Sequence, residues 1–160
     1  MVREFDVYES LIRFLSDRNW QIICASPPGG TNGRYPKCIL PRRSLNEKGP
    51  RDEVDLSASC GDLLLLAECK VRLSESFSRL TAQHESDYEK LKRINRTHPP
   101  SELSALLSKA YGLSLPTSPK VGGLIAVGKV DTGVPQDMTV IELAAKVRVW
   151  PSEPFVGVLG

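Results

Sequence analysis

The chain has 160 residues, of which 41% are apolar and 25% charged, and a net charge of +2 at pH 7. This is enough for one compact core and too little for two domains of ordinary size, and the balance excludes a disordered chain, a collagen and a coiled coil. The longest apolar run, Leu63 to Ala67, has the length of a strand and falls far short of the roughly 20 residues of a membrane span, so no transmembrane helix is expected.

The opening MVREFDVYES carries acids where a secretory signal needs an apolar stretch, which points to an intracellular, cytoplasmic protein. We expect residues 1–150 to form a single domain and 151–160 a loose C-terminal tail. The four cysteines, Cys24, Cys38, Cys60 and Cys69, are too sparse for a disulfide scaffold and form no C-x-x-C pair. They read as reduced thiols.

Residues 3–18 place Phe5, Tyr8, Leu11, Ile12 and Leu15 on one side at helical spacing, the pattern of an amphipathic helix on a core. A short strand follows from Trp20 to Ala25. SPPGGTNG, residues 26–33, holds two prolines and three glycines, which interrupts regular structure and makes a turn or loop. Tyr35 to Leu40 is a candidate antiparallel partner, and Pro41 to Asp52 is a polar, basic surface loop. Between Arg34 and Arg51 stand Arg34, Lys37, Arg42, Arg43, Lys48 and Arg51 against one acid, Glu47. A loop of that charge can contact nucleic-acid phosphates.

The segment EVDLSASCGDLLLLAECK, residues 53–70, reads as a central hairpin turning at Cys60-Gly61-Asp62. Leu63 to Ala67 lacks polar alternation, as expected of a strand covered on both faces. Residues 75–95 predict a second helix with Phe77, Leu80, His84, Tyr88 and Leu91 along its apolar stripe, His84 being a packed histidine. Lys90, Lys92, Arg93 and Arg96 toward its end extend the basic surface or complement the helix dipole. A short third helix is capped by Ser101 and ended by Gly112, with Leu103, Leu106, Leu107 and Ala110 as its apolar positions. Strands are expected over Val121–Val130, Met138–Leu143 and Lys146–Trp150. The fold class is α/β, a mixed central sheet flanked by helices.

In a strand, side chains alternate faces, so Glu68 and Lys70 in A-E-C-K share a side, about 6 to 7 Å apart at their bases, while Cys69 points the other way. Asp55 on the preceding strand can lie beside Glu68 across the hairpin. Two carboxylates are the hard oxygen ligands of Mg²⁺, and a neighbouring lysine adds a positive point charge. The PPGGTNG loop lacks the G-K-[ST] ending of a phosphate-binding P-loop.

The D-x12-E-x-K arrangement of Asp55, Glu68 and Lys70 resembles the core of the PD-(D/E)XK nuclease superfamily, in particular the branch with archaeal Holliday-junction resolvases, restriction-endonuclease-like domains and related repair or defence nucleases. The resemblance spans roughly residues 4–95 and departs in having Val54, not Pro, before Asp55. It implies a restriction-endonuclease-like fold and a Mg²⁺-dependent endonuclease, Mn²⁺ being able to substitute, with metal ligands Asp55, Glu68 and the Cys69 backbone carbonyl and with Lys70 assisting the nucleophile. It further implies a glutamate from the first helix as an added catalytic group and metal ligand, for which Glu9 is favoured by its spacing to Trp20 and Glu4 is the alternative, and a catalytic Gln or Lys from the later helix, Gln83 or Lys90. The expected partner is duplex or branched DNA. Because one domain offers one active site, cutting both strands needs a dimer or two separate events, and a symmetric homodimer is expected. A non-cleaving nucleic-acid-binding subunit of the same fold is the rival.

Overall fold

The structure is a computed structural model that describes residues 2–30, 34–41, 51–79, 81, 84–143 and the backbone of 148–150. Helix α1 (Glu4–Asp17) starts at Arg3, whose backbone N–H donates to the Asp6 carboxylate at 2.8 Å. Its buried side, Val7, Tyr8, Leu11, Ile12, Phe14 and Leu15, follows the predicted stripe. Asn19, at φ 62°, takes the left-handed conformation that asparagine tolerates better than most side chains. The chain there turns from α1 into β1 (Gln21–Ala25).

Strands β2 (Leu56–Cys60) and β3 (Leu63–Arg72) form the predicted hairpin around Gly61-Asp62, in register Leu56↔Ala67 to Cys60↔Leu63. Gly61 has φ 58°, a backbone conformation that a two-residue hairpin loop needs and glycine supplies at little cost. After two helices the chain returns as β4 (Lys120–Lys129), parallel to β3, then β5 (Thr139–Glu142), parallel to β4, and β6 (Arg148–Trp150), antiparallel to β5. The sheet order is β1-β2-β3-β4-β5-β6, a mixed sheet with β3 and β4 at its centre.

Leucines 63 to 66 are buried on both faces because alternate side chains enter two different layers. Leu63, Leu65 and Ala67 pack with α1, whereas Leu64 and Leu66 pack with the helices on the other side. Truncating a leucine in such a site typically costs about 2–5 kcal/mol. The second layer comprises α2 (Asp87–Thr97), contributing Leu91 and Ile94, and α3 (Pro100–Tyr111), contributing Leu103 and Leu107. The chain is therefore α/β, a mixed sheet between helices.

Several expectations are corrected. The helix expected over 75–95 begins only at Asp87, because Ser86 caps it reciprocally with Glu89; before it, Leu73–Phe77 form a 3-10 turn. His84 consequently has no helical stripe to join: it is exposed, with Nδ1 2.6 Å from Thr81 Oγ1. Leu80 lies outside the described residues. Helix α3 starts one residue before Ser101, with Pro99 at its cap and Pro100 in its first turn, a position where the missing N–H costs nothing. Gly112 ends it at φ 65°, as expected. Of its apolar positions, Ala110 is exposed and Ser104 is buried instead.

Tyr35 to Leu40 forms no strand. It makes one antiparallel bridge, Ile39 to Glu53, flanked by hydrogen bonds from Val54 N–H to the Cys38 carbonyl and from Leu40 N–H to the Asp52 carbonyl. Cys24 and Cys38, expected as reduced thiols, form a disulfide with Cα atoms 4.8 Å apart. The cause lies in β1, where an irregularity between Ile22 and Cys24 shifts the register against β2. Ile22 packs with the α1 layer, and both Ile23 and Cys24 with the opposite one, where Cys38 lies. Cys60 and Cys69 are free. The expected tail, residues 151–160, lies outside the described residues.

Candidate active site

The site forms where β2 ends and β3 continues. The hairpin register, extended by one residue beyond Leu56↔Ala67, sets Asp55 opposite Glu68. Asp55 precedes the strand, in a bend, rather than lying within it. With no β2 residue left to pair, the Cys69 N–H donates instead to Asp55 Oδ2 at 2.7 Å. In an extended strand a residue's N–H and C=O face the same edge, so the Cys69 carbonyl faces the side on which Asp55 sits. The Cys69 side chain is buried in the α1 layer, as the alternation predicts, and burial pushes its thiol well up.

Glu68 is 4% exposed. Burial holds its carboxyl well above the ordinary range, and the adjacent Asp55 charge acts in the same direction. Burial also raises Asp55, partly offset by hydrogen bonds from Glu68 and from the Cys69 backbone. Two carboxyls so close and so buried both hold their protons above the ordinary range.

Lys70 projects to the same side. Its Nζ lies 3.5 Å from Glu4 Oε1 and 3.4 Å from Asp87 Oδ2. Burial acts to lower the ammonium's pKa, but Asp87 and Glu4 outweigh it and the net shift is upward, so Lys70 is a cation. Burial raises Glu4 despite that lysine. From the first turn of α2, Lys90 reaches across to put Nζ 2.6 Å from Glu68 Oε1 while donating to the Glu53 carbonyl at 2.8 Å. These residues border a cleft of about 650 Å³ whose far wall is Ser26 to Gly29, Tyr35 and Lys37.

The candidates expected from sequence divide accordingly. Asp55, Glu68, Lys70 and the Cys69 carbonyl come together, and Lys37 lines the same cleft. Glu9 does not join them. It pairs with Arg34 at 3.7 Å, on a patch of α1 shared with Arg13 and Asp17. Five residues at 100° each put Glu9 on a different side of the helix from Glu4, and Glu4 is the glutamate that reaches the site. Arg34 is thus engaged with Glu9, and Arg51 is exposed. Gln83, Arg42, Arg43 and Lys48 lie outside the described residues. The basic end of α2 is committed internally, Lys92 to Asp137 at 3.1 Å and Arg93 to Asp52 and Glu85, each at 2.6 Å. Asp87 was missed, although the S-x-x-E box of Ser86 and Glu89 marks the helix start that puts it in the cleft.

Among the described residues no group of three or more His, Cys, Asp or Glu side chains is arranged to hold a metal by itself. Mg²⁺ does not require one, since it is commonly bound by one or two carboxylates with water and substrate oxygens completing the shell. The donor set fits such an ion: Asp55 and Glu68 face each other, with a carbonyl on the same edge. Glu68 Oε1 is moreover buried, with the Lys90 ammonium as its one close partner among the described residues. The chain matches no protein-family model, no curated protein and no solved structure.

Proposed function

We propose that the chain is a divalent-metal-dependent DNA endonuclease of the PD-(D/E)XK type, with a restriction-endonuclease-like fold. The observation that carries the proposal is the apposition of Asp55 and Glu68 at the open end of the hairpin, with Lys70 on the same side of β3. Asp55, Glu68 and the Cys69 carbonyl would hold Mg²⁺, or Mn²⁺ in its place. The ion would polarise the scissile phosphate and lower the pKa of a bound water.

The remaining work falls to the chain itself. Lys70, kept charged between Glu4 and Asp87, offers Nζ–H donors to the attacking water and to the phosphate oxygens as negative charge develops on them. The water oxygen forms a bond to phosphorus and gives up its proton to solvent, one P–O ester bond breaks, and the leaving oxygen takes up a proton from solvent. Lys37 on the cleft wall, with Arg42, Arg43, Lys48 and Arg51, would supply cations toward the DNA backbone, and Arg34 would join them on leaving its pair with Glu9. Such contacts position a duplex or branched DNA without reading its sequence. Cleavage of both strands would use a homodimer with one site per protomer.

The test is a substrate panel of linear duplex, single strand, flap, four-way junction and RNA, each with Mg²⁺, Mn²⁺ or EDTA. Metal-dependent cleavage of duplex or branched DNA is expected. Binding of DNA without cleavage under any metal would leave a non-cleaving nucleic-acid-binding subunit.

A further inference from the structure

Lys90 takes the position that a cation needs. Its ammonium sits 2.6 Å from Glu68 Oε1 in an environment where Glu68 is almost fully buried. It is held there from the opposite side by the Glu53 carbonyl, 2.8 Å away. The Lys90 ammonium is the one close partner of Oε1 among the described residues. An ammonium and a divalent ion cannot both occupy the same face of one carboxylate at bonding distance, because like charges that close repel strongly in a partly desolvated cleft.

We infer that Lys90 is a built-in counter-ion, a lysine that stands in for the divalent cation at Glu68 and must withdraw for the cation to bind. This rests on the assignment of Asp55 and Glu68 as cation ligands. Lys90 is a positioning residue in this scheme: it keeps Glu68 in place and neutralised in the metal-free protein. The site is therefore preorganised but guarded, and its apparent metal affinity is lower than its carboxylates alone would give. Once displaced, the Lys90 side chain can swing from its anchor on α2 into the cleft beside Lys37 and Lys70.

The experiment is titration calorimetry with Mn²⁺ on the full chain, comparing wild type with Lys90→Met, Lys90→Gln and Lys90→Arg, together with melting curves in EDTA and in Mn²⁺. Lys90→Met and Lys90→Gln should bind Mn²⁺ about tenfold or more tightly than wild type, because a full positive charge has left the site. Lys90→Arg should stay at or near wild-type affinity. The two neutral variants should melt lower than wild type in EDTA and recover most of the difference in Mn²⁺. Should Lys90→Met fail to fold, Lys90→Gln retains an N–H donor for the Glu53 carbonyl and carries the comparison.

Neutral variants that bind Mn²⁺ no more tightly than wild type would overturn the inference, as would a melting loss of equal size with and without Mn²⁺, the mark of a purely structural lysine. Binding by none of the proteins overturns it as well. Nuclease assays on the same samples separate this result from the proposed activity. Tighter binding without cleavage of any substrate rejects the nuclease and keeps the counter-ion, whereas cleavage with unchanged affinity does the reverse.

Discussion

Asp55 accepts a hydrogen bond from the Cys69 backbone N–H at 2.7 Å, and through it the bend before β2 is fastened to the E-x-K segment of β3. That contact replaces the next rung of the hairpin ladder. It brings the first carboxylate of the site within reach of the second, and it explains why a residue just outside a strand is held as firmly as one inside it.

The two glutamates of α1 should be separable by mutation. Glu4→Gln removes a carboxylate 3.5 Å from Lys70 and should slow single-turnover DNA cleavage by about 10-fold or more, the scale on which partners of direct ligands act. Glu9→Gln breaks only the surface pair with Arg34, worth about 0–1 kcal/mol, and should leave the rate near wild type. The opposite ranking would return the first-helix acid to Glu9.

Lys70→Ala should lower the single-turnover rate by about 10²-fold or more, the loss seen when one transition-state donor is removed. DNA affinity should change little, because the Lys70 ammonium is engaged with Glu4 and Asp87. A change confined to the binding constant would make Lys70 a phosphate contact instead.

The stability of the metal-free protein should fall as pH rises. Glu68 and Asp55 have folded-state pKa values above their ordinary ones, so the folded chain binds more protons than the unfolded chain. Their contribution is complete below the unfolded pKa values and is lost as pH climbs through the folded ones. Melting temperatures in EDTA should therefore decline as pH rises above the ordinary carboxylate range. The decline should be shallower in Glu68→Gln, and in wild type with Mg²⁺, which competes with protons for the carboxylates. Carboxylates with lowered values, such as Asp131 and Asp137, act in the other direction and only on acidification, below the range tested. A melting temperature that rises on going to higher pH in EDTA, with the same slope in Glu68→Gln, would contradict the raised carboxyls of Asp55 and Glu68.

Thiol counting on denatured, unreduced protein should find two reactive cysteines, Cys60 and Cys69, with four appearing after a dithiol reductant. Closing a loop of about 15 residues is worth roughly 3 kcal/mol through the unfolded state, so Cys24→Ala should lower the unfolding free energy by about that amount. Four thiols before reduction would contradict the disulfide.

The parts of the molecule that were legible in the sequence are those with a local signal. The α1 stripe, the Gly61-Asp62 turn and the apolar run of Leu63 to Ala67 each announce their own conformation, and the D-x12-E-x-K spacing converts a hairpin register into a pair of facing carboxylates. What escaped depends on long-range geometry or on a local signal overridden by periodicity. The Cys24–Cys38 bond follows from a register shift in β1 that no spacing reveals. The stretch from Phe77 to Leu91 has helical periodicity, yet the Ser86 cap breaks it, which displaced His84 and hid Asp87. Glu9 was favoured over Glu4 on its spacing to the next strand, and that spacing says nothing of which side of α1 faces the cleft.

The central claim is that the Asp55 and Glu68 pair is a metal-binding centre for phosphodiester hydrolysis, and nicking of supercoiled plasmid by wild type and by Asp55→Asn measures it most directly. The asparagine keeps an oxygen to accept the Cys69 N–H, so the fold and DNA binding should persist, checked by circular dichroism and a binding assay. Wild type should nick in Mg²⁺ and stop in EDTA. Asp55→Asn should lose more than about 100-fold in rate, since even partners of direct ligands account for 10- to 100-fold. Mg²⁺-dependent nicking at the wild-type rate by folded Asp55→Asn would contradict the account.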